Sequence, residues 1–369
     1  MKKLYIVGPV DVFDDVLEAM GSQVIAHYGD DFVHLYHEIL DLLRPIINSS
    51  GEIFLIPGPG TAGLDACLGS LLHTGQRVLI PVSGFFSERL AAVAKGSGID
   101  AVTEEFEWGT PVAPDRLRKR LSREQDIAAL AFVHHETSTG VLNPLDEIVQ
   151  IAHDAGIPVI VDAVASAGGI PIDVDGLGIE FLITVANKCL ESPPGLAIVS
   201  VSQRGWEWID KAGPTRHGWY LDLRTWRDYA TRWADWHPYP VTMPTNVLKA
   251  LDVALKRIHS EGLEHHFARF VKASEAVRKG LREMGFTMLV EGRYACPVVS
   301  AVRACPKFDV AELSRFLEHE RGIMIAGGIG PLKGKIFRVG HMGKASTQEY
   351  VDEFLAAVRD FLREKGLAR

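Results

Sequence analysis

Short apolar segments alternate with amphipathic segments between residues 50 and 200. Six segments are rich in Val, Ile and Leu without polar alternation, which is typical of strands covered on both faces: 53–56, 77–81, 128–134, 157–162, 181–184 and 197–201. Helical patterns lie between them at 62–72, 87–95 and 144–155. Because strands that alternate with helices indicate right-handed crossovers, this part of the chain predicts an α/β fold with a mostly parallel sheet.

The C-terminal third has a different pattern. Two long amphipathic helices, two strand-like segments and a last helix are predicted at 246–260, 264–284, 297–303, 335–339 and from 346 onward. Ser346 and Glu349 have the spacing of a capping box at the start of the last helix. We expect a smaller α+β domain at 257–369, a large domain at 21–256, and an N-terminal segment at 1–20 that contributes to the small domain and to the active site.

The stretch from 204 to 240 contains six of the seven tryptophans and has an irregular pattern. Such a stretch inside a compact protein predicts a loop that packs into an interface.

Composition narrows the function classes. The 369 residues are 47% hydrophobic and 23% charged, as in ordinary globular proteins, and the net charge is −8. A negative balance argues against nucleic acid or an anionic membrane as the main partner, since both require a basic surface. The apolar run at the start is broken by Gly8, Pro9 and Asp11, so neither a signal peptide nor a membrane span is expected, and we predict a cytoplasmic protein.

A glycine-rich segment, GPGTAG at 58–63, follows a strand and opens a helix. Glycines there let backbone N–H groups approach an anion at the positive end of the helix, which favours a phosphate site. The segment also matches G-x-G-x-x-G, so an NAD-dependent oxidoreductase is an alternative. That class requires an acidic residue about 20 positions further on, yet the next strand ends in PVSG at 81–84. A plain tight turn stays open as well.

Asp162 and Lys188 each follow a buried strand. Alone, the first could be a helix N-cap and the second a solvated amine. However, ligands of α/β sheets bind beyond the carboxyl ends of strands, and an amine desolvated there becomes a nucleophile toward carbonyls. A phosphate cradle, a strand-end carboxylate and a desolvated lysine together indicate pyridoxal phosphate, which needs all three.

The segment HHETSTG at 134–140 also ends a strand. Adjacent histidines on a strand point to opposite faces and no third ligand has suitable spacing, so no metal site is expected. Its hydroxyl groups suit hydrogen bonds to a polar ring substituent. The chain has no G-x-S-x-G, which argues against a serine hydrolase.

In this order and spacing, HHETSTG, VDAVASAGG at 161–169 and NKCLESPPGL at 187–196 resemble the class V pyridoxal-phosphate aminotransferases of fold type I. The resemblance runs from Gly8-Pro9 to FRVGHMG at 337–343 and is strongest for the alanine–glyoxylate, serine–pyruvate, 2-aminoethylphosphonate–pyruvate and pyridoxamine–pyruvate group. It implies a large domain with a mostly parallel seven-stranded sheet, a smaller α+β domain, bound pyridoxal 5′-phosphate (PLP), and a homodimer with active sites at its interface.

The resemblance also implies roles for individual residues. Lys188 would form the Schiff base with PLP and move the substrate proton, and Asp162 would pair with the ring nitrogen. The remaining cofactor contacts would be Gly60, Thr61 and Asn187 at the phosphate, Phe86 on the ring face, Thr137 near the ring hydroxyl, and Tyr239 and Thr242 from the neighbouring subunit. Gly8, Pro9 and Arg338 would bind substrate, with the Arg338 guanidinium clamping a carboxylate.

Differences between this chain and the individual branches of the family determine which activity we expect. The pyridoxamine–pyruvate branch alters the phosphate cradle and has a second arginine nine residues before Arg338, where this chain has Ile329. We therefore expect tightly held PLP and a ping-pong transfer from alanine or serine to glyoxylate or pyruvate. The alternatives are 2-aminoethylphosphonate–pyruvate or pyridoxamine–pyruvate transamination, and a PLP-dependent lyase.

Overall fold

A computed structural model describes residues 2–214 and 217–367. Within these ranges the chain forms thirteen α-helices: α1 (Asp14–Met20), α2 (Asp30–Ile47), α3 (Gly60–Leu71), α4 (Phe85–Gly96), α5 (Pro114–Leu121), α6 (Leu145–Asp154), α7 (Val174–Leu177), α8 (Gln203–Ala212), α9 (Leu223–Arg232), α10 (Thr245–Glu261), α11 (Leu263–Glu283), α12 (Val310–Glu320) and α13 (Gln348–Glu364).

The same ranges contain fourteen strands: β1 (Lys3–Leu4), β2 (Glu52–Pro57), β3 (Arg77–Val82), β4 (Asp100–Glu105), β5 (Ile127–Val133), β6 (His135–Glu136), β7 (Val141–Leu142), β8 (Val159–Asp162), β9 (Phe181–Val185), β10 (Leu196–Val201), β11 (Val299–Arg303), β12 (Ile323–Met324), β13 (Ala326–Gly327) and β14 (Ile336–Gly340).

Seven strands form the central sheet in the order β2-β10-β9-β8-β5-β3-β4. All pairs are parallel except those of β10, which runs antiparallel to both β2 and β9. The predicted α/β fold with a mostly parallel seven-stranded sheet is confirmed. The apolar pattern missed only β4, whose sequence DAVTEE is mostly polar because most of its residues are partly buried or exposed.

Six strands of this sheet deliver their carboxyl ends to one edge. β3, β4, β5, β8 and β9 are mutually parallel, and β2 points the same way because β10 runs antiparallel to it and to β9. The register places Asp162 beside Val133 of β5 and Ile183 of β9. The segments that follow these strands therefore meet at one place, the usual ligand-binding edge of an α/β sheet.

Apolar side chains form two large clusters and a third that connects them. The first lies around the central sheet, and the second surrounds the β11-β14-β13 sheet with α11, α12 and α13. The N-terminal segment joins the second cluster through Tyr5, whose hydroxyl donates to the Tyr350 carbonyl at 2.8 Å. The division at residues 20 and 256 stays a proposal, and α10 runs continuously across position 256.

The expectation of a loop over residues 204–240 is wrong for α8 and α9. Trp206 and Trp226 are fully buried on the apolar faces of these helices, and Trp226 Nε1 donates to the Tyr220 carbonyl at 2.7 Å. Each of the two helices has only ten residues and few apolar positions, so its apolar face was not recognised in the sequence. Trp233 and Trp236 are about half exposed.

The predicted capping box is also wrong. α13 begins at Gln348, one residue later than the motif requires, and Thr347 precedes it without a side-chain cap. Ser346 lies in a short 3₁₀ turn, where its hydroxyl donates to the Gly343 carbonyl at 2.6 Å and accepts from Arg269. Within the described ranges, none of the helices has the length and apolar character that crossing a membrane requires.

Candidate active site

A cavity of about 530 Å³ lies at the carboxyl edge of the central sheet. Its volume falls in the range of small-molecule sites. Eight of the twelve residues predicted from the sequence line it: Gly8, Gly60, Thr61, Phe86, Thr137, Asp162, Asn187 and Lys188. The topology explains this meeting, since these residues follow β1, β2, β3, β5, β8 and β9.

Lys188 stands three residues beyond β9, and its Nζ donates to the Val7 carbonyl of the N-terminal segment. Burial lowers the pKa of the Lys188 amine to about 8, and the charges of Arg338 and Arg89 act in the same direction. Roughly a tenth of the amine is therefore unprotonated at pH 7, far more than for an ordinary lysine, and this form is the nucleophile toward a carbonyl.

The turn that carries Lys188 is tied to the rest of the protein by Glu191. Glu191 has a left-handed backbone (φ 57°), and its N–H donates to the Lys188 carbonyl at 3.0 Å. Its buried carboxylate accepts from Arg269 at 3.0 and 3.2 Å and from the Gly343 N–H at 3.1 Å. This bidentate pair fixes the turn between the two large clusters.

Asp162 ends β8 with 6% of its surface exposed. Burial raises the pKa of its carboxyl to about 7, although the Val164 N–H, which donates to Oδ1 at 3.0 Å, opposes the shift. Among the described residues no cationic side chain lies within 4.0 Å of it, Lys188 included. A buried carboxylate of this kind is stabilised by a cationic ligand, which suits a protonated ring nitrogen.

Gly60 and Thr61 form the first turn of α3, and the residue before them, Pro59, provides no side-chain cap. The free N–H groups and partial positive charge of this helix end favour an anion. At Gly60 a Cβ would lie 2.7 Å from Val164 and 3.0 Å from Val185, so the cradle accepts only glycine.

Four predicted site residues do not line the cavity: Pro9, Tyr239, Thr242 and Arg338. Pro9 and Thr242 are exposed, while the Tyr239 ring is buried and its hydroxyl donates to the His27 carbonyl. The backbone passes the cavity at Gly8, which faces Lys188, and Pro9 lies outside the cavity.

Arg338 is buried behind the cavity wall. Its guanidinium donates to the Gly327 carbonyl at 2.6 and 3.0 Å and to the carbonyl of the lining residue Thr137 at 3.1 Å. Burial lowers the pKa of Arg338 to about 10. Its predicted role as a carboxylate clamp stays a prediction.

The sequence reasoning missed Arg89, His135 and Val164 among the lining residues. Arg89 follows Phe86 by three positions on α4, a spacing that places both on one helix face, and its guanidinium lies 4.9 Å from the Phe86 ring. His135 Nδ1 lies 2.8 Å from the Ala165 carbonyl, and burial lowers the pKa of its imidazole to about 4, so the ring is neutral.

These features fit PLP group by group. Lys188 presents an amine for its aldehyde, Asp162 a carboxylate for its ring nitrogen, and the α3 N-terminus an anion site for its phosphate. Phe86, at the start of α4, presents an aromatic ring to the same cavity.

Comparisons with known proteins agree with this geometry. The sequence profile of the family described as "Aminotransferase class-V" matches residues 10–354. An uncharacterized aminotransferase of Methanocaldococcus jannaschii is 35% identical over 99% of this chain and 94% of its own length. The crystal structure of an alanine–glyoxylate aminotransferase from Nostoc sp. superposes with a TM-score of 0.93 at 32% identity, covering 98% of this chain and 95% of that one. A ureidoglycine–glyoxylate aminotransferase from Bacillus subtilis has a TM-score of 0.93 at 30% identity, with 99% and 94% covered.

Replacing Gly8 by alanine is expected to displace the amine of Lys188. A Cβ at Gly8 would lie 2.6 Å from Lys188 Cδ and Cε and still closer to Nζ, and Gly8 has φ +107°. Because overpacking of this kind costs about 1–3 kcal/mol, we expect PLP to bind the apoenzyme about tenfold or more weakly. Equilibrium dialysis of PLP measures this.

Gly75→Ala is the matched control. Gly75 has a similar φ of +83°, but a Cβ there would meet no atom within 4 Å. It carries the backbone strain without the contact, so PLP affinity should match that of the wild type. Equal PLP affinity of Gly8→Ala and Gly75→Ala would contradict the contact with Lys188.

The lowered pKa of Lys188 predicts a pH profile. Below about pH 8 the ammonium form dominates, so acetylation of Lys188 in the apoenzyme should accelerate as the pH rises and level off above about 8. Competitive labelling followed by mass spectrometry of the Lys188 peptide measures this rate. A midpoint near the ordinary lysine value of about 10.4 would contradict the desolvation argument.

Proposed function

The chain belongs to the class-V aminotransferase family and is a PLP-dependent aminotransferase, and from this premise we propose that it transfers the amino group of alanine or serine to glyoxylate or pyruvate in a ping-pong reaction. The observation that carries the proposal is the meeting of Lys188, Asp162 and the α3 N-terminus in one buried cavity. Its volume of about 530 Å³ leaves room for PLP and a small substrate rather than a large one.

When bound, PLP supplies an electron sink that stabilises negative charge at the substrate Cα. Through its carboxylate, Asp162 would hold a proton on the ring nitrogen, and burial would strengthen that interaction. The charges of Lys188 and Arg89 act on Asp162 as well, but neither side chain is within ion-pair distance of it. Lys188 Nζ takes the proton from the substrate Cα. In the second half of the reaction, it returns a proton to the Cα of the newly formed amino acid. The low pKa of this amine suits both tasks.

The remaining groups bind and orient. The N–H groups of Gly60 and Thr61, with Asn187, would hold the phosphate, Phe86 would cover one ring face, and Thr137 would bind near the ring hydroxyl, since all five line the cavity. Arg338 binds the substrate carboxylate in exchange for the Gly327 and Thr137 carbonyls that its guanidinium contacts. Gly8 would border the substrate on the N-terminal side, and the predicted contact of Pro9, which is exposed outside the cavity, stays a prediction.

Glyoxylate as acceptor is supported by the names of the Nostoc and Bacillus relatives. The alternatives named from the sequence, a 2-aminoethylphosphonate donor, a pyridoxamine donor and a lyase reaction, remain outcomes of the substrate test below.

We also propose a homodimer in which Tyr239 and Thr242 complete the neighbour's phosphate site. Thr242 is exposed in the single chain, and the exposed rings of Tyr28, Trp233 and Trp236 lie near the same segment. A cytoplasmic location stays a prediction.

A panel of amino donors added without acceptor tests the activity. An aminotransferase converts its PLP to the amine form once and then stops, so we expect a single spectral change with alanine or serine that glyoxylate or pyruvate reverses. Steady ammonia release would instead indicate a lyase. If only 2-aminoethylphosphonate or only pyridoxamine caused the spectral change, that compound would be the donor in place of alanine or serine.

Arg338→Lys tests the clamp. Lysine cannot make the bidentate contact with a carboxylate, and charged hydrogen bonds contribute about 1.5–3 kcal/mol, so kcat/KM with glyoxylate should fall about ten- to a hundredfold. Arg315→Lys, on the exposed face of α12, is the control and should leave it unchanged. Unchanged kcat/KM in Arg338→Lys would remove Arg338 from the substrate site.

A further inference from the structure

We propose that Glu136 is a positioning residue that holds Phe86 against the cofactor, an inference that rests on the proposed stacking of Phe86 on PLP. Glu136 belongs to the short strand β6, is fully buried, and does not line the cavity. It would therefore act through the residue that it holds.

The Glu136 carboxylate accepts hydrogen bonds from the first turn of α4. Phe86 N–H donates to Oε2 at 3.1 Å, and Ser87 donates to the same oxygen from its N–H at 3.0 Å and from its hydroxyl at 3.2 Å. Ser138 N–H donates to Oε1 at 3.2 Å, and the Ser138 hydroxyl donates there as well. The carboxylate thus connects β6 directly to the backbone of Phe86.

Among residues 2–214 and 217–367, no lysine, arginine or histidine forms an ion pair with this buried carboxylate within 4.0 Å, and the Arg338 charge acts on it only from further away. A buried charge without a directly paired counterion is costly unless fixed dipoles stabilise it. The N-terminus of α4, with its free N–H groups and partial positive charge, provides that stabilisation. The charge of Glu136 is therefore matched to the helix end that carries Phe86.

The Glu136 side chain packs directly against the backbone of Gly84, which precedes α4. A Cβ at Gly84 would lie 2.5 Å from both Cγ and Cδ of Glu136, which real side chains do not tolerate. The backbone φ of Gly84 is extended, so space rather than conformation requires glycine there.

The Phe86 ring is partly buried and packs against the apolar cluster around the central sheet. It also meets Phe85 edge-on at 5.5 Å and the exposed Arg89 side chain at 4.9 Å. Its position over the cavity therefore depends on this packing and on its backbone, which Glu136 holds. Without the carboxylate, the first turn of α4 loses three of its hydrogen bonds.

A double-mutant cycle in PLP affinity tests this proposal. Glu136→Gln keeps the shape and removes the charge, so we expect the PLP dissociation constant of the apoenzyme to rise about tenfold, with weaker circular dichroism of the bound cofactor. Phe86→Ala should cause a loss of similar size. If Glu136 acts through Phe86, the double variant should be no worse than Phe86→Ala alone.

Fully additive effects in the cycle would overturn the proposal, since Glu136 would then act independently of Phe86. A lower thermal midpoint of Glu136→Gln with unchanged PLP affinity would overturn it too, as a merely structural role. Should Glu136→Gln fail to fold, Glu136→Asp keeps the charge and enters the same cycle. If neither Glu136→Gln nor Phe86→Ala lost PLP affinity, the stacking of Phe86 on PLP would itself be overturned. A wild-type chain that binds no PLP would instead overturn the proposed function.

Discussion

The site depends on one constraint. An amine and a carboxylate are both removed from water in the same cavity, yet they lie outside ion-pair distance of each other. Burial is the main cause of both pKa shifts, which bring Lys188 down to about 8 and Asp162 up to about 7. Had the two groups paired directly, each would have stabilised the charged form of the other and neither would be available to a ligand. Asp162 ends β8, whereas Lys188 lies three residues beyond β9 and its amine donates to the Val7 carbonyl instead.

The same constraint explains why distant segments converge on this cavity. The N-terminal segment supplies the Val7 carbonyl to Lys188 and passes at Gly8, where only glycine leaves room for the amine. Glu191 and Arg269 tie the lysine turn to the helix α11. Glu136 is another buried carboxylate near the cavity, and it accepts hydrogen bonds from the first turn of α4.

Much of this arrangement could be predicted from the sequence, for identifiable reasons. Uninterrupted apolar runs marked six of the seven central strands, and Asp162 and Lys188 were found because they follow such runs. β4 was missed because most of its residues are only partly buried or exposed, and α8 and α9 because each has only ten residues with few apolar positions. The contacts of Arg338 and of Glu136 join residues far apart in the chain, so no local pattern contains them.

The central claim is that Lys188, and no other lysine, carries the cofactor. Borohydride reduction of the PLP-loaded protein, followed by digestion and mass spectrometry, tests it most directly, because reduction makes the bond between amine and cofactor permanent. The account predicts a single pyridoxyl-modified peptide that contains Lys188, with Asp162→Asn still labelled at the same position. Modification of a different lysine, or none at stoichiometric PLP, would contradict it.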